Sequence, residues 1–367
     1  MNFDYSDEQI MLRDSVDRYG AEQWAAANRL KMLEEGPEAA VRRWAQMAEM
    51  GWLMLPIGED QGGLGGSAVD VMAIAEGFGR HLILDPWVTS CVLVPALLRG
   101  GGDAAGDVAA AIAAGEARAA AALIESDGGY DLAHVATRAD GNILSGAKLH
   151  VEDGADADWF VVSARTGGSV DEDGGISLFL VPRGAEGLEI SRYRALDHHR
   201  HARLTLNGVR GVPIGQADAA LPVIEAGVDR AICAHLAEAT GSMETAAAVT
   251  LEYLKTRKQF GVAIGTFQAL QHKMVDMTIA CEEARAMTYH ATLHLGAAPA
   301  ERRRAVAAGK TRVADCGVHV GQDAIQLHGG VGFSDELIVS HHFKRQLMID
   351  QAHGPRAHHR ARFSAAR

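Results

Sequence analysis

Arg257 and Phe260 stand three residues apart within the run 253–277 (YLKTRKQFGVAIGTFQALQHKMVDM), a spacing that puts a cation and an aromatic ring on one face of a helix. Gly261, directly behind them, can end that helix in a left-handed turn. Gly265 and Thr266 then restart it, with Thr266 as N-cap and Phe267, Leu270, Met274 and Met277 at helical spacing. The expected corner carries one guanidinium, one ring and the amides of Gln268 and Gln271, a set suited to a pyrophosphate. Spacing alone is equally compatible with an apolar core stripe beside a solvated arginine.

The order Tyr253, Arg257, Phe260-Gly261, Phe267-Gln268 resembles the C-terminal signature of the acyl-CoA dehydrogenase family. A second signature of that family follows as Gln326-Leu327-His328-Gly329-Gly330-Val331-Gly332-Phe333. The resemblance implies that Arg257, Phe260, Gln268, Gln326, Gly329 and Gly330 hold the ADP half of FAD across a subunit interface. In that arrangement the arginine lies on the pyrophosphate and the Gln-x-His-Gly-Gly turn comes from a neighbouring chain.

The chain departs from the family where flavin-ring contacts are expected. Ile124-Glu125-Ser126-Asp127 and Tyr130 stand where the family has Thr-Glu-Pro and Ala-Gly-Ser-Asp, and Leu149-His150-Val151-Glu152 stands where it has Trp-Ile-Thr-Asn. The lost hydroxyls remove donors to the ring, and a buried polar edge left unmet costs roughly 1–3 kcal/mol per group.

Dehydrogenation of a thioester also needs a base for the α-proton while a β-hydride leaves for the flavin. The family's usual Tyr-Glu-Gly-Thr run corresponds to Ala352-His353-Gly354-Pro355, so His353 replaces the glutamate. An alternative family position on an early bundle helix aligns without gaps to Ala231, just after Asp229 and Arg230. Asp229 is the base candidate; His353, a base from another chain and no base at all remain open. Arg230 is excluded because a guanidinium stays protonated.

A net charge of −12 argues against nucleic acid as a partner. The four cysteines are scattered, which points to a reduced cytoplasmic protein. The acidic N-terminus lacks the basic and apolar regions of a signal peptide. Asp85, Pro86 and Pro95 interrupt the apolar run 82–98, so no membrane span is expected. Among 17 histidines, only His290 and His294 have the i, i+4 spacing of a helical metal pair, and no zincin glutamate lies between them; no metal site is assigned.

The elements that must position these residues follow from periodicity. Ser6 and Gln9 make a capping box ahead of Ile10, Leu12, Val16 and Tyr19; Trp44, Met47, Met50 and Trp52 continue a second helix. Gly62, Gly63, Gly65 and Gly66 form a turn before a helix over 69–79, and with no Lys-Ser/Thr following they are no P-loop. Alternation takes over near residue 117, with short strands at 159–162, 176–181, 188–190 and 204–206. Helices rich in Ala, Gly and Ser resume near residue 221.

The expected architecture is α+β and multidomain: an N-terminal helical domain (1–116), a middle β-barrel or sandwich (117–215) and a C-terminal four-helix bundle (216–367), the acyl-CoA dehydrogenase fold. The resemblance implies an FAD-dependent subunit that introduces a trans-2,3 double bond into an acyl-CoA, with electron transfer flavoprotein as acceptor. The ending, 339–359, resembles the small subunits of pimeloyl-CoA dehydrogenase and the short subunits of α2β2 enzymes acting on dicarboxylate or steroid side chains. A second acyl-CoA dehydrogenase subunit is therefore the expected partner, with a homo-oligomer as the alternative. Two other readings stay open: a catalytically silent subunit that completes a partner's FAD site, and a homomeric flavoenzyme with altered chemistry on CoA thioesters.

Overall fold

The computed structural model describes residues 5–366, the Pro37 side chain excepted, so Met1–Asp4 of the acidic N-terminal stretch lie outside the described residues. In chain order the helices begin with α1 (Asp7–Gln23), α2 (Arg29–Leu33), α3 (Pro37–Glu49), α4 (Ala68–His81), α5 (Val94–Leu98) and α6 (Asp103–Ala113). Strands follow: β1 (Ala119–Ala122), β2 (Arg138–Asp140), β3 (Ile143–Val151), β4 (Trp159–Arg165), β5 (Ile176–Pro182), β6 (Leu188–Arg194), β7 (Arg200–Arg210) and β8 (Val212–Ile214). After α7 (Leu221–Thr256) a short hairpin, β9 (Lys258–Gln259) and β10 (Val262–Ala263), precedes α8 (Gln268–Leu293), α9 (Pro299–His328), α10 (Ile338–Gln351) and α11 (Arg356–Ala365). No described helix is long and apolar enough to cross a membrane.

The chain forms two compact units that are not contiguous in sequence: Met1–Gly36, Ala68–Ile83 and Ile232–Arg367 make one, Pro37–Ser67 and Leu84–Ala231 the other. The first is all helical apart from the β9–β10 hairpin. The capping box forms at its start, with Ser6 and Gln9 bonded in both directions, and Val16 and Tyr19 turn inward from α1. Helices α4 and α7 approach so closely that a Cβ on Gly241 would fall 2.0 Å from the Glu76 carbonyl oxygen, and one on Gly79 would fall 1.8 Å from that of Glu238. The small residues of the bundle thus permit backbone-to-backbone packing that any side chain would forbid.

The second unit is built on one eight-stranded sheet in the order β6-β7-β3-β2-β4-β5-β8, with β1 alongside β4. β1 and β2 run parallel to β4; the other pairs are antiparallel. β4 and β5 are buried nearly end to end because apolar residues occupy both faces. β6, at the edge, alternates: Leu188 and Ile190 pack on the core of Phe160, Phe179, Leu204 and Leu206, while Glu189 and Ser191 face solvent. β3 slips against β7, with Lys148 opposite Leu204 and Val151 opposite Ala202, so the bulge at Leu149 and His150 frees Leu149 to bridge Ile124.

Within the helical unit, the Arg345 guanidinium donates to both oxygens of Glu238 at 2.6 and 2.7 Å, and all three of Glu238, Arg345 and His235 are buried. Burial alone would raise the Glu238 carboxyl; Arg345 and the His235 hydrogen bond overcome this and carry it from its ordinary 4.5 down to about 2. Because the folded value lies below the unfolded one, this stabilisation is complete above about pH 4.5 and is lost as pH falls towards 2. Glu238→Gln, which strands a buried guanidinium, should cost about 3–5 kcal/mol at pH 7 in denaturant titrations. The gap to wild type should close progressively below about pH 4; a gap independent of pH would show that the ion pair is not its source.

Candidate active site

The structure revises the local geometry of the Arg257 corner. α7 ends at Thr256, so Arg257 and Phe260 do not share a helical face; Arg257 leads into a hairpin in which Lys258 pairs with Ala263 and Gln259 with Val262. Phe260 and Gly261 form its two-residue turn at φ 51° and 84°, the pair of positive angles that matches strand twist in a tight hairpin. Thr266 is not an N-cap either. It sits in a 3₁₀ turn with its hydroxyl on the Ala263 carbonyl, and Phe267 occupies the cap position of α8 without a side-chain bond.

Beside the hairpin lies a groove of about 480 Å³ lined by Leu254, Lys255, Gly265, Thr266, Gln271 and Met274. Gly265 leaves its wall open, since a Cβ there would lie 2.9 Å from the Leu254 carbonyl oxygen. Gln271 is held by the Gly265 carbonyl at 2.9 Å. Lys255 escaped the sequence reading, although its place one turn after Leu251 on α7 already put it on the groove-lining face. The Lys255 ammonium, paired with Glu252 at 2.7 Å, the Gln271 amide and the Thr266 hydroxyl surround an open wall that suits the ADP half of a dinucleotide, with Arg257 and Gln268 exposed at the same corner.

The two signatures meet through their aromatic members. Tyr253 stacks on His328 with ring centroids 4.3 Å apart, and the His328 Nδ1 donates to the Ala324 carbonyl at 2.8 Å. Burial lowers the His328 pKa against that hydrogen bond, so the ring serves as a neutral platform. Gln326 is exposed in the last turn of α9, Gly329 and Gly330 are exposed just beyond it, and Gly329 turns the chain at φ 67°. Phe260 is 93% exposed and Phe333 76%.

In the sheet unit, the two segments that depart from the family are brought together. The Leu149 amide donates to the Ile124 carbonyl at 2.7 Å, so the missing hydroxyls leave one continuous patch. Glu125 lies beneath it, accepting from the Ala136 amide at 2.7 Å, the Thr137 amide at 3.1 Å and the Lys148 ammonium at 2.6 Å. Lys148 is fully buried and also donates to Ser163. Burial lowers it to about 8 despite the opposing pull of Glu125.

Of the base candidates, Asp229 is completely buried on α7, in the part of that helix belonging to the sheet unit. His353 sits in the turn between α10 and α11 at φ 54°, its ring 5.7 Å from that of His235, which bonds Glu238 at 3.2 Å. The i, i+4 pair His290 and His294 is tied locally, His294 to the His290 carbonyl.

Three family models match in order along the chain: the acyl-CoA dehydrogenase N-terminal domain over residues 6–122, the middle domain over 120–209 and the C-terminal domain over 221–366. The probable acyl-CoA dehydrogenase FadE25 of Mycobacterium tuberculosis is 32% identical over 318 residues, covering 82% of this chain and 80% of its own. The chain belongs to the acyl-CoA dehydrogenase family. As a member it is an oxidoreductase acting on acyl-CoA thioesters, with FAD as cofactor. Among solved structures, a variant of the Tcur3481-Tcur3483 steroid ACAD matches at 27% identity and TM-score 0.86, covering 98% of this chain and 97% of that one. The FAD complex of PigA shares the fold at 24% identity and TM-score 0.90, covering 100% and 98%.

The buried pair beneath the patch gives a direct test. Glu125→Gln should lower stability by about 3–5 kcal/mol because it leaves the Lys148 ammonium buried without its counter-charge. The double variant Glu125→Gln, Lys148→Met should recover much of that loss. Equal losses for the single and double variants would locate the effect in the two amide bonds instead.

Proposed function

We propose that this acyl-CoA dehydrogenase works as one subunit of a heteromer that introduces a trans-2,3 double bond into an acyl-CoA thioester. The observation that carries the reading is the contrast between the residues kept for the ADP half of FAD and those lost for its ring. The ADP end is complete in side chains and open: Arg257, Phe260 and Gln268 on one chain, with Gln326, Gly329 and Gly330 on its neighbour, hold the ADP half of FAD. The ring end, at Ile124 and Leu149, has apolar side chains where the family offers hydroxyls, and its backbone amide at Leu149 is already bonded to the Ile124 carbonyl. A Phe260 ring 93% exposed calls for a covering surface, and a second subunit supplies it.

Bound FAD supplies the hydride acceptor. The chain's own residues hold the cofactor's phosphates and position the thioester, and Asp229 takes the α-proton. Electron transfer flavoprotein is the electron acceptor. The four cysteines, all buried and none in a disulfide, suit the reducing cytoplasm. A second reading has its own support: the Ile124–Leu149 patch and the histidine at the usual base position favour a silent subunit that completes a partner's site.

The deciding experiment is the FAD-to-chain ratio and solution mass of the protein alone and co-expressed with a longer relative. The heteromer predicts little FAD alone and restoration with the partner; about one FAD per chain in a homo-oligomer overturns it. Arg257→Ala should weaken FAD binding by about tenfold or more in fluorescence titration, as loss of a charge-assisted phosphate contact does. In the assembled enzyme Asp229→Asn should lower kcat by about 10²–10⁴ with flavin content intact. An unchanged kcat would assign the chemistry to the partner chain and support the silent-subunit reading.

A further inference from the structure

The sheet unit carries a second cationic feature, remote in sequence from the Arg257 corner. A pocket of about 220 Å³ is lined by Ala40, Arg118, Asp156, Arg183 and Arg192. Three different segments bring its arginines together. Arg118 precedes β1, Arg183 follows β5, and Arg192 belongs to β6. On β6 the side chains alternate, and Arg192 continues the face of Leu188 and Ile190, which pack on the sheet core. The apolar face thus ends in a guanidinium aimed into the pocket rather than away from the sheet.

Arg183 is fixed in place. Its Nη1 donates to the Ala157 carbonyl at 2.7 Å and its Nη2 to that of Ala155 at 2.9 Å. Burial, and then the charge of Arg192, lower its pKa against the opposing pull of Asp156 and Asp158, with Arg118 adding to the lowering. The lining carboxylate, Asp156, is engaged by Arg200 at 3.1 Å, and Asp158 accepts from the Arg118 amide at 2.9 Å. Among the described residues no carboxylate pairs with the guanidinium of Arg118 or Arg192. Like charges converging in this way repel one another in a chain whose net charge is −12.

We propose that this pocket binds a phosphate or pyrophosphate group. Three guanidinium forks match the tetrahedral, multiply charged oxyanion better than they match a carboxylate. The pocket is smaller than the roughly 300 Å³ at which sites for drug-sized ligands begin, so it takes the anion and not the whole of a nucleotide. The shared chemistry has two sources: a free phosphate or pyrophosphate, or a phosphate of the CoA moiety with the remainder of the ligand outside.

The test is calorimetric titration of the purified protein with inorganic pyrophosphate, comparing wild type with Arg192→Gln, Arg118→Gln and, as control for the other cationic corner, Arg257→Ala. Arg192 is exposed and Arg118 half-exposed, so both variants should keep the wild-type melting temperature. Besides any pyrophosphate taken at the Arg257 corner, which Arg257→Ala removes, one pyrophosphate per chain is expected that survives Arg257→Ala, with its Kd raised about tenfold or more by Arg192→Gln or Arg118→Gln and its binding weakened by salt. Equal Kd in wild type, Arg192→Gln and Arg118→Gln, or no heat up to about 10 mM, overturns the site. CoA and dephospho-CoA identify the source. If Arg192→Gln weakens CoA but not dephospho-CoA, the occupant is the 3′-phosphate. If it weakens both, a phosphate of the CoA pyrophosphate occupies the pocket; if it weakens neither while pyrophosphate binding is lost, the anion is free.

Discussion

Each compact unit is organised around a buried carboxylate held against a buried cation. In the sheet unit Glu125 gathers two backbone amides and the Lys148 ammonium; in the helical unit Glu238 takes both arms of Arg345. Such pairs contribute little net stability over apolar residues of the same shape, because desolvation offsets the attraction. What they impose is register, since every partner must arrive at once. Glu125 fixes the segment after Ile124 to the residues just before β2 and to β3, and therefore fixes the patch at Ile124 and Leu149. Glu238 ties α7 to α10 just before the turn that carries His353.

Periodicity made much of this fold legible. Strands β4 to β7 and the helices before and after them follow from alternation and helical spacing, because burial of one face leaves a pattern in the chain. The misses have specific causes. β1 is four alanines and has no alternation to read. β9 and β10 are two residues each, too short to show a period, so the tract around Arg257 read as helix. The bulge at Leu149 became visible only against β7. The division into two non-contiguous units was likewise hidden, since it rests on which helices pack together.

The sequence names a candidate site as a set of residues and not as a geometry. Arg257, Phe260, Gln268, Gln326, Gly329 and Gly330 could be chosen from two signatures, yet nothing in them announced that Tyr253 and His328 stack. Glu238 and Arg345 are 107 residues apart, and pairing over that distance leaves no local trace. The arginine pocket was missed for a related reason. Arg118, Arg183 and Arg192 each look like an ordinary surface cation in their own segment, and only the sheet brings them into one place.

The two ends of the expected flavin site obey different physics, and this explains how one can persist while the other changes. Phosphate recognition at the ADP end relies on charge and on backbone left open by glycine, terms that depend on few side chains. Ring recognition relies on individual hydroxyls aimed at polar edges, and losing one costs about 1–3 kcal/mol if nothing replaces it. A chain that keeps the first set and loses the second still offers a large share of cofactor affinity, but only where another surface completes the ring pocket. The exposed Phe260 and Phe333 rings set the same requirement from the side of solvation, because exposed aromatic area is stabilised by whatever covers it. In the proposed heteromer, cofactor retention and subunit association are one equilibrium: a partner that covers the rings raises flavin affinity, and bound flavin strengthens the association by the same factor.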